Sequence, residues 1–257
     1  MRLLLPPSES KRDGVQLEPL QLDALTAPAL TAQRARVIST LERFCAKPTA
    51  RVRDAIGTTV HQRAELLRNT RLMEAPTSPA HDLYSGVLFD AIGLDDCNAP
   101  TRRRIIERTL VQSALLGVIG MADRIPAYRC SADSTLPRIG RVGTFWRGHL
   151  DRVMPQLLAD QLIIDLRSGT YASMWAPRGE IGESTVTVKV MQQERNGRRL
   201  AVSHMNKATK GQLVRVLGEH VREPQTPEQA AQAIGAAGYD VELVRVGHVN
   251  VLEVLAH

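Results

Sequence analysis

Apolar positions along the chain recur with two different spacings, and each spacing predicts a different kind of element. Between residues 28 and 73 they lie mostly three and four apart, as at Val37 and Leu41, which is typical of helices with one buried face. Two short stretches contain apolar runs: residues 3–5, and residues 161–169 (QLIIDLRSG), where the run is closed by serine and glycine. Both have the length of a strand, so we expect each to be buried in a sheet.

Two further segments have less regular patterns. Residues 74–82 (EAPTSPAHD) are rich in proline and serine, which predicts a loop. Residues 101–120 (TRRRIIERTLVQSALLGVIG) begin with threonine, a frequent N-cap. They predict an arginine-rich helix that starts at this threonine and becomes apolar towards two glycines.

The C-terminal third changes to alternating β-branched and polar residues. Residues 184–193 predict a strand, and Asn196-Gly197 predicts a hairpin with a type I′ turn. Two helices follow, around residues 207–219 and 227–237, and then two alternating strands around Gly247. This order predicts a mixed α/β (α+β) fold in which helices surround a mixed sheet. No stretch has the composition of a linker, so we expect residues 1–257 to form a single domain.

Composition narrows the class of protein. The chain is 43% hydrophobic and 23% charged, which is typical of globular proteins, and no apolar run is long enough to cross a bilayer. The first residues are too short for a signal peptide, so we expect a cytoplasmic protein that does not contact a membrane. Cysteine and histidine show no metal-ligand spacing, so we expect neither a disulfide framework nor a metal site. No cofactor can be identified from the sequence.

The charge balance has two explanations. The net charge of +6 favours a polyanionic partner such as a nucleic acid, or a phosphorylated ligand. Much of the excess is arginine, however, and GC-rich genomes enrich arginine on ordinary protein surfaces. Charge alone does not decide between these explanations.

The first strand ends in PPSESK, residues 6–11, which places hydroxyl, carboxylate and amine groups where the strand emerges. On a helix, the spacing of Ser8 and Lys11 would let a desolvated lysine activate a serine. A second interpretation is an anion site in which serine hydroxyls, free amides and Lys11 hold a phosphate. A third is an ordinary polar turn.

Aromatic residues adjoin basic or small ones at three places. Tyr84 begins a Tyr-Ser-Gly turn, and the pair Tyr128-Arg129 combines a ring with a guanidinium that can grip a phosphate or carboxylate. The alternative for that pair is a tyrosine packed on the core beside a solvated arginine. For Phe145 and Trp146 we expect core packing at the start of a helix.

Polar residues also follow the second buried strand. Asp165, Ser168 and Tyr171 come directly after it, and ligands of open α/β sheets collect beyond the carboxyl ends of strands. If this strand pairs in parallel with the first, Ser8 and Lys11 approach Ser168 and Tyr171.

A basic segment opens the first C-terminal helix. His204, Lys207 and Lys210 precede Gly211, and residues 207 and 210 share a helical face. Such a helix start can grip backbone phosphates through charge and free amides. A solvated basic face explains the pattern equally well.

Six motifs in series resemble the YaaA family of bacterial peroxide-stress proteins, and the opening is similar to that of actinobacterial members. The motifs are LLPPSESK, DLYSG, PAYR, TFW, DLRSGTYASM and SHMNKATKGQLVR. The resemblance covers nearly the whole chain. It implies a mixed α/β fold, a positively charged cleft and an element like a helix-hairpin-helix that binds DNA. It also implies a role in limiting iron damage during peroxide stress.

The sequence departs from that family at two places. Leu116 and Gly120 stand where a tyrosine and an arginine are common, and the hairpin keeps only Gly211 of its Gly-hydrophobic-Gly pattern. Both departures weaken the transfer of non-specific DNA binding to this chain.

Two functions therefore remain as hypotheses beside a plain scaffold. The first is a DNA-binding protein of the peroxide stress response, whose partner is duplex or single-stranded DNA. The residues expected to bind a nucleic acid or an anion are Ser8, Lys11, Tyr84, Arg129, Ser168, His204, Lys207, Lys210 and Gly211. The second is an enzyme that acts on a small anionic, phosphorylated or nucleotide-like substrate. Its pocket would be lined by Ser8, Lys11, Tyr128, Arg129, Ser168, Tyr171 and Lys207. The residues that would carry its chemistry are Lys11, Tyr128, Arg129 and Tyr171.

Overall fold

The computed structural model describes residues 1–15, 18–193, 199–201 and 206–255. The strands within them are β1 (Arg2–Leu5), β2 (Thr77–Pro79), β3 (Thr109–Ser113), β4 (Gly117–Gly120), β5 (Arg124–Pro126), β6 (Thr135–Leu136), β7 (Gly140–Arg141), β8 (Ile163–Asp165), β9 (Thr185–Gln193), β10 (Arg199–Ala201), β11 (Val241–Val246) and β12 (Val249–Leu255). The α-helices are α1 (Thr31–Cys45), α2 (Ala50–Ile56), α3 (Arg63–Arg68), α4 (Ala80–Leu83), α5 (Val87–Ile92), α6 (Ala99–Arg108), α7 (Val142–Leu158), α8 (Gly169–Ala172), α9 (Gly179–Glu183), α10 (Asn206–Glu219) and α11 (Pro227–Ala236).

One mixed sheet organises the described part of the chain, in the order β11-β12-β9-β8-β1-β3-β4, with β10 paired to β9. Its centre is parallel, because β1 pairs in parallel with both β3 and β8, and β9 with both β8 and β12. The edge strands β4 and β11 are antiparallel to their neighbours. The predicted mixed α/β fold is confirmed.

The central strands are buried on both faces, which explains their uninterrupted apolar sequence. All three leucines of β1 are at most 2% exposed, and Ile163 and Ile164 of β8 are fully buried. The register sets Leu4 beside Asp165. Both predicted buried strands are therefore present, and the parallel pairing on which the meeting of their loops depended is observed.

Most of the predicted helices and the final strand pair are also present. Residues 28–73 contain α1, α2 and α3, and Val37 and Leu41 on the inner face of α1 are fully buried. The two C-terminal helices appear as α10 and α11, and the last two strands as β11 and β12. The aromatic pair in α7 packs as expected, since Trp146 is fully buried and its Nε1 donates to the Ala114 oxygen at 2.6 Å.

The prediction for residues 74–82 was wrong. This segment contains β2 and the first residues of α4 rather than a loop. Strand β2 pairs antiparallel with β5, with Ser78 opposite Ile125. Proline is tolerated in such a short, two-stranded ladder. The proline content of the segment, which suggested a loop, therefore did not exclude a strand.

The single helix predicted over residues 101–120 was also wrong. Helix α6 begins two residues earlier, at Ala99, because the side chain of Asn98 accepts from the Thr101 amide at 2.9 Å and caps it. After Arg108 the chain becomes β3 and then β4. A short apolar run cannot be assigned to helix or strand by periodicity alone, and here β3 is buried along its length beside β1.

The expected turn at Asn196-Gly197 lies outside the described residues. The strands on either side of it, β9 and β10, pair antiparallel, with Gln193 opposite Arg199.

Candidate functional site

A cleft of about 630 Å³ opens beyond the carboxyl ends of β1 and β8. Because these strands are parallel neighbours, the segments that follow them emerge at the same edge of the sheet. The cleft is lined by Pro6, Pro7, Ser8, Glu9, Ser10, Gly86, Val87, Leu88, Phe89, Ser131, Asp133, Leu166, Ser168, Thr170, Tyr171, Asn206, Lys207 and Lys210. Its size is that of typical small-molecule sites.

Five of the predicted site residues line this cleft, from three separate segments of the chain. They are Ser8, Ser168, Tyr171, Lys207 and Lys210. The expected approach of the first post-strand turn to the second is therefore seen in the structure.

The turn after β1 is extended rather than helical. The Ser8 hydroxyl accepts from the Ser10 amide at 3.2 Å, and Lys11 forms an antiparallel bridge with Tyr84. The Lys11 amine donates to the main-chain oxygen of Ser8 at 2.7 Å, not to its hydroxyl. The interpretation of a lysine-activated serine on a helix was therefore wrong, because its backbone geometry is not present.

Gly86 lets this turn approach α5. Its φ of +98° lies in the region that favours glycine, and a Cβ placed there would lie 3.2 Å from the Ser8 hydroxyl. The glycine therefore keeps Ser8 close to the first turn of α5.

The Lys11 amine lies behind this turn, in an environment poor in partners. It sits 4.0 Å from the centre of the Tyr128 ring and 5.3 Å from that of Tyr84. Burial, and secondarily the positive charge of Arg129, lower the pKa of Lys11 to about 7. A substantial share of the amine is therefore neutral near neutral pH. Such perturbed groups beside a cleft mark functional sites more often than other positions.

Two of the predicted tyrosines, Tyr84 and Tyr128, lie buried beside the Lys11 amine. Tyr84 and Tyr128 are 2% and 3% exposed. Their hydroxyls lie 2.9 Å apart, and that of Tyr128 also lies 2.8 Å from the Ser113 hydroxyl. Burial raises the pKa of both phenols. Neither lines the cleft, so neither faces a ligand there directly.

Tyr171 is the tyrosine that faces the cleft. Burial, with a smaller contribution from Tyr128, raises the pKa of its phenol. The hydroxyl is therefore protonated at neutral pH and is able to donate a hydrogen bond.

Arg129 lies at the back of the same region, already paired. Its guanidinium is 14% exposed and lies 2.8 Å from Glu9 and 3.5 Å from Glu65. Asn69 fixes its backbone, accepting from the amide at 2.8 Å and donating to the carbonyl at 2.7 Å. The expected anion-binding arginine thus has two carboxylate partners.

The basic segment of α10 divides between the cleft and the core. Lys207 is exposed and Lys210 is buried, with its amine donating to the Arg167 oxygen at 3.2 Å. Burial lowers the pKa of Lys210, and Asp165 partly opposes that effect. Gly211 packs against α5 instead, where an added Cβ would lie 2.2 Å from the Leu88 oxygen. His204 lies outside the described residues.

Sequence reasoning missed a buried network beneath the cleft. Arg167 holds Asp165 with two bonds, of 2.8 and 2.6 Å, and also donates to the Trp175 oxygen and the Gln112 side chain. The pattern Asp-x-Arg after a buried strand was the available signal. This network anchors the backbone that presents Ser168.

Leu116 and Gly120, which depart from the pattern of the family that the sequence resembles, are not among the residues that line the cleft. Leu116 is fully buried and its oxygen accepts from the Arg34 Nε at 3.0 Å. Gly120 donates to the Asp123 carboxylate at 3.0 Å. Neither departure alters the cleft lining.

The three cysteines are free thiols. Burial raises the pKa of each thiol, that of Cys130 to about 12. Within the described residues there is no group of three or more metal-ligating side chains. No helix in the same part of the chain is both long and apolar enough to span a membrane.

Comparison with known proteins places these features in a family. The model of the family described as "Peroxide stress protein YaaA" matches residues 1–243. A UPF0246 protein of Streptomyces coelicolor is 40% identical over an alignment covering all of this chain and 99% of the relative. A UPF0246 protein of Corynebacterium efficiens is 38% identical, covering 95% of each chain. An uncharacterized protein of Campylobacter jejuni is 24% identical over 84% of each. The chain therefore belongs to the YaaA family of peroxide stress proteins.

Proposed function

We propose that the cleft binds a small phosphorylated substrate and that the protein is an enzyme acting on it, in the cytoplasm. The observation that carries this proposal is convergence. Ser8, Ser168, Tyr171 and Lys207 come from three distant segments, yet they line one concave site. Enzymes need such convergence, whereas non-specific DNA binding needs a broad basic surface.

The charges of the cleft support a compact anionic group rather than a long polyanion. Lys207 and Lys210 contribute positive charge to its lining, and Glu9 and Asp133 contribute negative charge. Since these charges balance, the cleft is not uniformly basic. The lysines and serine hydroxyls offer donors for one phosphate, and the protonated Tyr171 hydroxyl offers a further hydrogen bond to it.

Lys11 acts in this proposal as a positioning residue. Its amine contacts the Ser8 and Glu9 main-chain oxygens rather than the cleft itself. Its charge therefore sets the electrostatic potential beneath the turn that would face the phosphate. Protonation of Lys11 is expected to favour the anion.

The second candidate is DNA binding during the peroxide stress response, as in the sequence hypothesis. The net charge of +6 and the exposed Lys207 in the first turn of the 14-residue helix α10 favour it. Exposed lysines at a helix start contact phosphates of a nucleic-acid backbone. In this case the cleft would receive one nucleotide of a longer chain.

The test is phosphorus NMR of pyrophosphate, AMP and ATP, each mixed with the wild-type protein. We expect selective broadening or shift of at least one phosphate resonance, and new resonances if the compound is turned over. The variants Lys207→Ala and Ser168→Ala should bind that compound at least tenfold more weakly than the wild type. Lys189→Ala is the matched control, since Lys189 is exposed on β9 and outside the cleft lining.

Fluorescence anisotropy of a labelled duplex and a labelled single strand, in a salt series, tests the second candidate in parallel. Steep salt-dependent DNA binding without any effect on the small phosphates would replace the first proposal with the second. If all of these probes leave the spectra and the anisotropy unchanged at low salt, both proposals are wrong.

A further inference from the structure

The contacts of Arg129 leave one of its two carboxylate partners able to move. Glu9 lies 2.8 Å from the guanidinium, and its side chain is 66% exposed. It belongs to the turn after β1 and lines the cleft. Glu65 lies further away, at 3.5 Å, and its side chain is half as exposed, at 33%.

Glu65 is also held from other directions. It sits within helix α3, and its carboxylate accepts from the Gln62 side chain at 3.4 Å. The Glu9 carboxylate has no second partner among the described contacts. Rotation of the Glu9 side chain into water therefore breaks only its bond to Arg129.

We propose that Glu9 holds the place of the substrate's phosphate: on binding, a phosphate group replaces the Glu9 carboxylate on the Arg129 guanidinium. This inference rests on the phosphorylated substrate proposed above, and it identifies Arg129 as the group that recognises the phosphate. Glu9 is then a competitor carried by the protein itself, which any weakly bound anion would have to displace.

The energetics favour exchange over simple release. A largely buried guanidinium that loses its closer carboxylate keeps only Glu65 at 3.5 Å and is destabilised. A phosphate that takes the position of Glu9 keeps the pairing and can offer two oxygens to the planar fork of arginine, whereas Glu9 contacts it through one. Asn69 holds the Arg129 backbone from both sides, so the main chain that carries the guanidinium stays in place while the partner of the guanidinium changes.

The neighbouring charges fit an exchange of anions. Lys11 and Glu65 face the same guanidinium region, and Arg129 and Glu9 are both among the charges that act on Lys11. Exchange of one anion for another leaves a negative group beside Lys11. Release of Glu9 without replacement would leave Arg129 and Lys11 as adjacent cations sharing only Glu65.

The experiment is titration calorimetry of pyrophosphate against the full-length protein and Glu9→Gln. Removing the competing carboxylate should tighten pyrophosphate binding about tenfold. Two controls lose one negative charge elsewhere. Glu65→Gln leaves Glu9 as the remaining partner and should bind no more tightly than wild type. Asp13→Asn removes a charge from the same N-terminal segment but outside the cleft lining, where Asp13 pairs with Arg68, and should change the affinity less than twofold.

The combined variant Glu9→Gln/Arg129→Ala separates competition for Arg129 from general electrostatics. If Glu9 competes for Arg129, the tenfold gain disappears in this background. A gain that persists without Arg129, or that Asp13→Asn reproduces, overturns the inference. If wild type binds pyrophosphate and Glu9→Gln binds it no more tightly, the exchange is wrong and the proposed function stands. If neither protein binds any phosphate probe, the proposed function fails and this inference fails with it.

Discussion

Two cations inside this protein, Arg34 and Lys11, are satisfied to very different degrees. Arg34 in α1 is fully buried. Its guanidinium donates to four main-chain oxygens, those of Leu22, Thr26, Leu116 and Val118. The Lys11 amine has one close oxygen at 2.7 Å, a second at 3.5 Å, and otherwise two aromatic rings.

The protonation of the two groups follows from that difference. Burial lowers the pKa of Arg34 to about 10, with Asp123 opposing, so the guanidinium stays charged at neutral pH. Burial and Arg129 bring the pKa of Lys11 to about 7. The comparison teaches that burial alone does not mark a functional cation. A buried cation whose donors are filled by carbonyls holds the fold, whereas one with unfilled donors beside a cleft responds to its surroundings.

The largest effect is expected for Arg34→Met. The substitution removes the guanidinium from four main-chain oxygens, of which that of Leu22 still accepts from the Thr31 hydroxyl at 3.3 Å. Each buried acceptor left unsatisfied costs about 1–3 kcal/mol, so we expect a loss of at least about 3 kcal/mol. Urea unfolding followed by circular dichroism measures the loss. Arg36→Met on the same helix is the control, because Arg36 is exposed and donates to one oxygen, and it should cost less than about 1 kcal/mol. Equal losses in both variants would contradict the structural role of Arg34.

A smaller, pH-dependent effect is expected for Lys11→Met. In the wild type the folded state holds the Lys11 proton with a pKa near 7, against 10.5 for the free side chain. Between these values the unfolded state binds more protons, so stability rises with pH. Wild type should therefore gain about 2 kcal/mol relative to Lys11→Met between pH 7 and pH 9.

Urea unfolding of both proteins at four pH values measures this difference in the free energy of unfolding. Because the other titrating groups are the same in both proteins, their contributions cancel in the difference. Lys189→Met, an exposed lysine on β9, should follow the wild-type profile. Parallel profiles for wild type and Lys11→Met would mean that the Lys11 amine is ordinarily solvated.

The sequence predicted best those features that follow from a local pattern combined with sheet geometry. Two apolar runs predicted β1 and β8, and the rule that parallel strands end at one edge brought Ser8 towards Ser168 and Tyr171. The boundary of α6 was missed because Asn98 and Thr101 are both good caps, and only the observed bond chooses between them. Strand β3 was missed because a short apolar run has no decisive period.

Individual side-chain contacts between distant segments could not be predicted. Glu9 and Arg129 are 120 residues apart in the chain, and no spacing in the sequence relates them. The carbonyls around Arg34 come from the loop before α1 and from the β3–β4 region, so the arginine appears in the sequence as an ordinary polar position of a helix. The surroundings of both cations therefore could not be predicted from the local sequence. Lys11 was identified as a candidate only because of the turn in which it lies.

The smallest effect separates the ring of Tyr128 from its hydroxyl. Tyr128→Phe removes the bonds to Tyr84 and Ser113 and should cost about 1 kcal/mol of stability. The ring under the Lys11 amine remains, so the pKa of Lys11 should not change. Tyr128→Leu also removes the ring and its attraction for the ammonium, worth about 1 kcal/mol, and should lower the pKa of Lys11 by about 0.7. Titration of the Lys11 Cε resonance by carbon NMR measures the pKa of Lys11 in both variants, and urea unfolding measures the loss of stability. If Tyr128→Phe lowers the pKa of Lys11 as much as Tyr128→Leu does, the hydrogen bonds of the Tyr128 hydroxyl, and not its ring, determine the charge of Lys11. Lys11 and Arg34 would then differ in their hydrogen bonding alone.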